Sequence, residues 1–214
     1  MKTLIISIQP RHVPDDVLKI IAGVLLDDRV MAYPTETFYG LGGVCFSRKA
    51  VRRIYSLKAR EVGKPLSLIV SSLNMIETLA ADPPPIFHRL ASEFWPGPLT
   101  LVLKASPSFP SRAAGPGHTI GVRITSVPWL RRLVDEVGLP ITATSANISG
   151  ERETSDPAEI LRTFNGKVDI IVDGGATPGG RASTIVDVTT STPRILREGA
   201  IPAAKLERYF SVMP

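Results

Sequence analysis

Residues 33–42 read Tyr33-Pro34-Thr35-Glu36-Thr37-Phe38-Tyr39-Gly40-Leu41-Gly42. A short apolar segment, Val30–Tyr33, ends at Pro34, and hydroxyl groups and a carboxylate follow at once. Strand ends that face a crevice are where α/β sheets bind ligands, and glycine lets a backbone approach a ligand closely. A polar turn capped by Thr35 or Thr37 is the alternative. The stretch predicts an α/β sheet with a ligand site at a strand end, and the polar turn stays open beside it.

The segments on either side alternate between strand and helix patterns. Short apolar runs predict nine strands, at Thr3–Ile8, Val30–Tyr33, Leu66–Val70, Leu99–Leu103, Ile120–Ile124, Ile141–Thr144, Val168–Val172, Thr184–Val188 and Arg194–Leu196. Six or seven helices are predicted between and after them. Some neighbouring strands are joined by helices and others by short turns. This predicts an α/β fold, a twisted mixed sheet flanked by helices, in one domain over residues 1–214.

Several helix boundaries are predicted by local signals. Asp15 or Asp16 is expected to cap the first helix, Ser47 the second, and Gly138 to end a later helix that begins at Pro128. The inward face of the first helix is predicted by the i, i+3, i+4, i+7, i+8 spacing of Val17, Ile20, Ile21, Val24 and Leu25.

Composition excludes some classes of protein. With one cysteine, Cys45, the chain has neither an internal disulfide framework nor a cysteine-based metal site, and Cys45 itself is expected to be a small buried hydrophobe. The N-terminal apolar run is too short for a signal peptide, and no run is long enough to span a membrane, so we expect a cytoplasmic protein. A net charge of +5 suits solubility or an anionic ligand and does not choose between them.

Cations gather at the end of the second predicted helix, in Lys58-Ala59-Arg60, with Lys64 shortly after. Arginine offers a bidentate fork to phosphate, and lysine offers a mobile point charge. These three cations are therefore candidates for a polyphosphate clamp. The alternative is a solvated helix end, where cations are favoured by the helix dipole.

Two further features suggest anion chemistry. Small and hydroxyl residues crowd the end of a strand in Thr142–Gly150, a turn that is neither a Walker motif nor a nucleophile elbow but can present N–H and hydroxyl groups to phosphate. Arg123 and Arg197 end apolar strands, where a buried arginine needs either an acidic partner or a ligand anion. The histidines lack metal-ligand spacing, and we expect no protein-bound metal site beyond Mg²⁺ arriving with a phosphate ligand.

Taken together, these stretches resemble the YrdC family of threonylcarbamoyl-AMP synthases. The family pattern contains Pro-Thr-(Asp/Glu)-Thr-x-Tyr-Gly-Leu-Gly, Lys-x-Arg before Pro-Leu, Pro-Gly-Pro-x-Thr, Val-Arg-(Ile/Met)-Pro, Ser-Ala-Asn-x-Ser-Gly, a Gly-Gly…Ser-Thr-(Ile/Val)-(Ile/Val)-Asp segment and Arg-x-Gly-Ala-Ile. The chain matches this pattern in order, at Pro34–Gly42, Lys58–Arg60 with Pro65-Leu66, Pro96–Thr100, Val122–Ile124, Ser145–Gly150, Gly174-Gly175 with Ser183–Asp187, and Arg197–Ile201.

The resemblance implies a YrdC-like fold with a concave, positively charged face, and an enzyme that condenses L-threonine, bicarbonate and ATP. By resemblance, the threonine site contains Thr35, Thr37, Arg123, Ala143 and Ser183. The residues around ATP are implied to be Lys58, Arg60, Lys64, Thr119, Ser145, Asn147 and Arg197. Of these, Lys58, Arg60, Ser145 and Asn147 are the implied catalytic set.

The chain departs from the family pattern at a few positions. Lys64 stands where family members often have Asn, Ser67-Leu68-Ile69 replaces an Ile-Val-His run, and Thr125 replaces the usual Pro after Arg-Ile. Partners implied by the family are tRNA and a downstream threonylcarbamoyl transferase. Two other functions stay open: a non-catalytic module that binds double-stranded RNA or tRNA, and a carbamoyl transferase with another acceptor.

Overall fold

The computed structural model describes residues 2–61, 65–110 and 114–210 of the chain. Its ten strands, in chain order, are β1 (Leu4–Ser7), β2 (Met31–Pro34), β3 (Tyr39–Gly42), β4 (Ser67–Val70), β5 (Leu99–Lys104), β6 (Thr119–Ile124), β7 (Ile141–Ser145), β8 (Ile170–Asp173), β9 (Thr184–Asp187) and β10 (Arg194–Arg197). The seven helices are α1 (Asp15–Leu26), α2 (Arg48–Leu57), α3 (Leu73–Glu77), α4 (Pro85–Phe94), α5 (Pro128–Val137), α6 (Pro157–Phe164) and α7 (Ala203–Phe210).

All ten strands form one sheet in the order β1-β8-β2-β3-β7-β4-β6-β5-β9-β10. Four strand pairs are parallel, β1 with β8, β2 with β8, β4 with β6, and β5 with β9. The other five pairs are antiparallel. The prediction of a mixed sheet flanked by helices is therefore confirmed.

Side chains alternate across this sheet and build a core on each face. On β4, Leu68 and Val70 join the cluster that contains α3, α4 and α7, whereas Ile69 faces α1 and α5. A third cluster places α2 and α6 against the outer half of the sheet, around Ala32 and Ile171. Because one face of each strand is buried by helices, the sheet register is fixed by the apolar pattern.

Strand β3 is the one that the sequence analysis missed. Glycines are depleted in strands, and β3 contains two within four residues. The structure explains them, because a Cβ at Gly42 would lie 2.7 Å from both the Thr142 carbonyl oxygen and the Tyr33 ring. β3 passes so close to its neighbours that only glycine fits, and its pairs with β2 and β7 carry the sheet past the 33–42 stretch.

Helix boundaries follow the local signals with one exception. Ser47 accepts the Ala50 N–H at 3.0 Å and caps α2, and Gly138 ends α5 with a φ of 68°. The predicted cap of α1 is wrong, because Asp15 is already helical and Pro14 precedes it without a side-chain cap. The inward face of α1 is also rotated from the predicted one, since Ile20 is exposed whereas the buried set is Leu18, Ile21, Ala22 and Leu25.

Within the described ranges, no helix has the length and apolar character that crossing a bilayer requires.

Candidate active site

A cavity of about 530 Å³ opens where the ends of the central strands meet the 33–42 stretch. Its size suits a small-molecule ligand. Nine of the twelve site residues suggested by the sequence line it, namely Thr35, Thr37, Arg60, Thr119, Arg123, Ala143, Ser145, Ser183 and Arg197. Lys58 and Asn147 lie just beneath its wall, and Lys64 falls outside the described residues.

The first wall of the cavity is made by the turn between β2 and β3. The Thr35 hydroxyl donates to the Phe38 carbonyl oxygen at 2.7 Å and accepts the Thr37 N–H at 3.1 Å. Its proton is thus committed within the turn. The Thr37 hydroxyl lies 3.2 Å from that of Thr35 and can donate to it. Thr37 then keeps its lone pairs for a ligand, so a turn that satisfies its own backbone also presents a hydroxyl group to the cavity.

Arg123 enters the cavity from β6. It is only 6% exposed, and its Nη1 lies 3.4 Å from Oε1 of Glu36. The sequence left open whether this arginine meets an acidic residue or a ligand. The structure pairs it with Glu36 and also places it in the lining of the cavity.

Arg197 approaches from the edge strand β10. Its Nε and Nη2 donate to the Ser183 carbonyl oxygen at 3.1 and 2.8 Å, and Nη2 also reaches the Ser183 hydroxyl at 3.1 Å. The Ser183 hydroxyl in turn lies 3.1 Å from that of Thr100. Burial lowers the pKa of Arg197, Arg123 acts in the same direction, and Glu153 opposes them. The guanidinium is therefore held rigidly in a partly desolvated position.

Arg60 reaches the cavity because the chain reverses directly after α2. Ala59 has a φ of 46°, which ends the helix, and the Arg60 N–H then bonds back to the Tyr55 carbonyl oxygen. Nη2 of Arg60 donates to the Pro65 carbonyl oxygen at 3.1 Å. The reversal sends Lys58 inward and Arg60 toward the cavity.

Lys58 does not line the cavity. It is 2% exposed, and its ammonium group donates to the Ser145 carbonyl oxygen and to both the carbonyl and side-chain oxygens of Asn147, at 2.5–2.9 Å. Ser145 Oγ donates to the same Asn147 Oδ1 at 2.6 Å. Lys58 and Asn147 thus hold Ser145 from below. The interpretation of Lys58 as a phosphate clamp stays a prediction.

Several lining residues were given no role in the site by the sequence analysis. Glu153 and Asp187 add two carboxylates to the wall, and Thr100 and Tyr33 add a hydroxyl and a ring. Thr100 sits in the Pro-Gly-Pro-x-Thr motif, which was the available signal for it, whereas Glu153 has no motif. The described residues contain no group of three or more His, Cys, Asp or Glu side chains arranged to hold a metal ion.

Cys45 lies in the core, away from this cavity. Its side chain is 2% exposed, and burial raises the pKa of the thiol to about 12. The prediction that it is a buried hydrophobe is confirmed, and an unreactive thiol follows.

Comparison with known proteins identifies the family. A family profile for Sua5, YciO and YrdC proteins, described as "Telomere recombination", matches residues 23–199. The chain belongs to this family. It is 37% identical over 206 residues to the threonylcarbamoyl-AMP synthase of Pyrococcus abyssi and 35% identical over 187 residues to that of Bacillus subtilis, which covers 96% and 87% of the chain. The resemblance inferred from the motifs is confirmed.

Solved structures of the Sua5/YciO/YrdC family have the same fold. The crystal structure of P. abyssi Sua5 complexed with L-threonine superposes with a TM-score of 0.92 at 36% identity, over 98% of this chain and 61% of the other. The chain spans only 60% and 54% of the length of its P. abyssi and B. subtilis relatives.

Proposed function

We propose that the chain is a threonylcarbamoyl-AMP synthase, which forms threonylcarbamoyl-AMP and pyrophosphate from L-threonine, bicarbonate and ATP. One observation carries the proposal: Arg123, Arg60 and Arg197 converge with small hydroxyl groups on one cavity of about 530 Å³. That cavity lies in a chain 36% identical to a protein crystallised with L-threonine. A small hydroxy amino acid and a nucleotide triphosphate supply the anions that three arginines would bind.

The threonine end of the cavity is assigned to the turn at Thr35 and Thr37, with Ala143 as its floor. Arg123 binds the α-carboxylate in this proposal, because its ion-pair partner Glu36 belongs to the hydroxyl-rich turn and guanidinium binds carboxylate bidentately. Thr37 is suited to the substrate hydroxyl or amine, since its lone pairs remain available beside the committed Thr35.

The nucleotide end is assigned to Arg60, Arg197, Thr119 and Ser145, and Ser183 supports Arg197 from the threonine side. Both arginines are anchored to backbone carbonyl oxygens, which reduces the reorganisation needed when a phosphate arrives. Mg²⁺ enters as the companion of ATP. It binds through one or two carboxylates plus substrate phosphates, and Glu153 and Asp187 on the wall fit that need.

The chemistry requires no covalent enzyme intermediate. The threonine amine forms a carbamate, either with CO₂ and loss of a proton or with bicarbonate and loss of water. A carbamate oxygen then attacks the α-phosphorus of ATP, the bond from that phosphorus to the β-phosphate oxygen breaks, and pyrophosphate leaves. The side chains align the carbamate with the α-phosphate and neutralise the charge that develops there. A cytoplasmic location, tRNA as the final acceptor and a separate threonylcarbamoyl transferase as partner belong to the same proposal.

The test is an assay of pyrophosphate release by the purified chain with ATP, bicarbonate and L-threonine, with mass spectrometry of the nucleotide product. We expect release that requires threonine and bicarbonate, and a product of the mass of threonylcarbamoyl-AMP. Two reactions serve as controls: one omits threonine, and the other contains carbamoyl phosphate in place of threonine. Turnover with carbamoyl phosphate and without threonine would overturn the proposal in favour of a carbamoyl transferase. Salt-sensitive RNA binding with no ATP turnover would overturn it in favour of an RNA-binding module.

A further inference from the structure

The carboxylate of Glu36 stands behind Arg123 and outside the cavity wall. The side chains of Arg123 and Glu36 are 7% and 10% exposed, so the pair is almost completely desolvated. A buried arginine without a counter-charge is costly. Glu36 supplies that charge without occupying the space in which a ligand would sit.

The ion pair leaves the donors of Arg123 available. Its contact with Glu36 Oε1 is 3.4 Å, and that oxygen has no hydrogen-bond partner among the described residues. The contacts of the described chain give the Arg123 guanidinium this ion pair and no hydrogen bond. Glu36 therefore compensates the charge of Arg123 and orients it from the side away from the cavity. The N–H groups of Arg123 remain available for an incoming carboxylate.

Thr125 fixes the other oxygen of Glu36. Its hydroxyl is completely buried and donates to Glu36 Oε2 at 2.6 Å. The same hydroxyl accepts the Val127 N–H at 3.2 Å, so its single proton is directed at the carboxylate. Arg131 Nη1 donates to the Thr125 carbonyl oxygen at 2.7 Å and holds the residue from α5.

Thr125 stands at one of the positions where the chain departs from the family pattern. The family pattern places proline after Arg-Ile, and proline has no side-chain hydroxyl. Here Thr125 occupies that position and links the start of α5 to the Glu36 carboxylate. A departure from the family pattern thus coincides with a buried hydrogen bond that acts on a residue of the cavity.

We infer that Glu36 and Thr125 are positioning residues that set the orientation of Arg123 and thereby the selectivity of the site for an α-carboxylate. The inference rests on the proposed function. Loss of the Thr125 hydroxyl leaves Glu36 Oε2 buried without a donor. The carboxylate then either rotates or accepts hydrogen bonds from the Arg123 guanidinium. In either case the guanidinium fork turns away from the ligand.

The experiment measures the binding of L-threonine and of threoninol, which lacks the carboxylate, by calorimetry. We expect Thr125→Val to weaken the binding of threonine about tenfold, which is the effect of losing one charge-assisted hydrogen bond. The binding of threoninol should be nearly unchanged. The preference for the carboxylate then falls about tenfold. Thr125→Ser keeps the hydroxyl and restores the preference. Thr3→Val is the matched control, because Thr3 also has a buried hydroxyl that bonds the backbone, at the far edge of the sheet.

The outcomes separate the two claims. If the wild-type chain does not bind threonine, the proposed function fails and the inference fails with it. If the wild-type chain binds threonine and Thr125→Val keeps its carboxylate preference, the inference alone is overturned. If the affinities of the variant for threonine and for threoninol fall by the same factor, Thr125 has only a structural role, which also overturns the inference.

Discussion

The ammonium group of Lys58 lies 2.8 Å from the carbonyl oxygen and 2.9 Å from the side-chain oxygen of Asn147. Asn147 Nδ2 donates in turn to the Glu151 carbonyl oxygen at 2.6 Å. The 145–151 turn is therefore tied to the end of α2 by one buried cation. Ser145 is held at the cavity wall by this arrangement.

Replacing this cation removes the tie. In Lys58→Met, methionine keeps the apolar stem and is one atom shorter than lysine, but the Ser145 carbonyl oxygen and both oxygens of Asn147 lose the donor that Lys58 supplies. We expect the rate of pyrophosphate release to fall about 100-fold, because Ser145 and the turn lose their fixed position. Stability should change by less than about 2 kcal/mol, since removing a buried charge that has no ion-pair partner among the described residues offsets the lost hydrogen bonds. Lys49→Met, on the exposed side of the same helix, should behave as wild type. A wild-type rate in Lys58→Met would refute this role.

The charge of Lys58 predicts a distinctive pH dependence. Burial lowers its pKa to about 8, Arg60 acts in the same direction, and Glu153 opposes them. The ordinary value is 10.5, so between pH 8 and 10.5 the folded chain binds fewer protons at this site than the unfolded chain. The contribution of Lys58 to the free energy of unfolding therefore rises with pH through this window, by up to about 3 kcal/mol. Below pH 8 both states hold the proton and the full burial cost applies.

The direction of this change in stability with pH is checked by urea unfolding of the wild type and of Lys58→Met at about pH 7 and pH 9.5. The difference in unfolding free energy between the two should shift in favour of the wild type at the higher pH. Activity should move in the opposite direction, because deprotonation removes a positive charge beneath the turn. A difference in unfolding free energy between the two proteins that stays constant from about pH 7 to pH 9.5 would contradict a lowered pKa for Lys58.

Arg60 is the cation of the Lys-x-Arg pair that faces the cavity. We expect Arg60→Ala to lower the rate of threonine- and bicarbonate-dependent pyrophosphate release by about 10²–10³, the usual effect of removing one preorganised group at a developing charge. The fold should be little affected, since its described hydrogen bond is to the nearby Pro65 carbonyl oxygen. Arg52→Ala, exposed on α2, is the matched control. Unchanged product formation in Arg60→Ala would remove it from the site.

Much of the fold was accessible from the sequence because its signals are local. Nine of the ten strands follow from apolar runs, and Ser47 and Gly138 mark helix ends through single hydrogen bonds or one dihedral angle. The face of α1 was misjudged because neighbouring apolar residues fit two rotations of the helix. Only its packing against α5 distinguishes the buried Ile21 from the exposed Ile20.

The site was less accessible, because its details depend on contacts between distant segments. Motifs identified which residues converge, but no motif distinguishes a lysine that contacts a ligand from one that supports a turn 87 residues away. The Thr125 departure was visible in the sequence, yet its meaning required the 2.6 Å contact with Glu36. Glu153 had no signal, since it reaches the cavity through a loop without a pattern.

Substitution of Gly42 tests the close packing of β3 against its neighbouring strands, which requires the glycines that kept β3 from being predicted. A Cβ there would meet the Thr142 carbonyl oxygen and the Tyr33 ring at 2.7 Å, and neither is the end of a flexible side chain. We expect Gly42→Ala to destabilise the chain by about 1–3 kcal/mol through overpacking and to weaken ligand binding, since Tyr33 lines the cavity. Gly23→Ala is the matched control, because no atom lies within 4 Å of its added Cβ on the exposed side of α1. It should stabilise the chain by about 0.5–1 kcal/mol. Urea unfolding of both variants gives the comparison, and equal stability of the two would contradict the tight packing of β3.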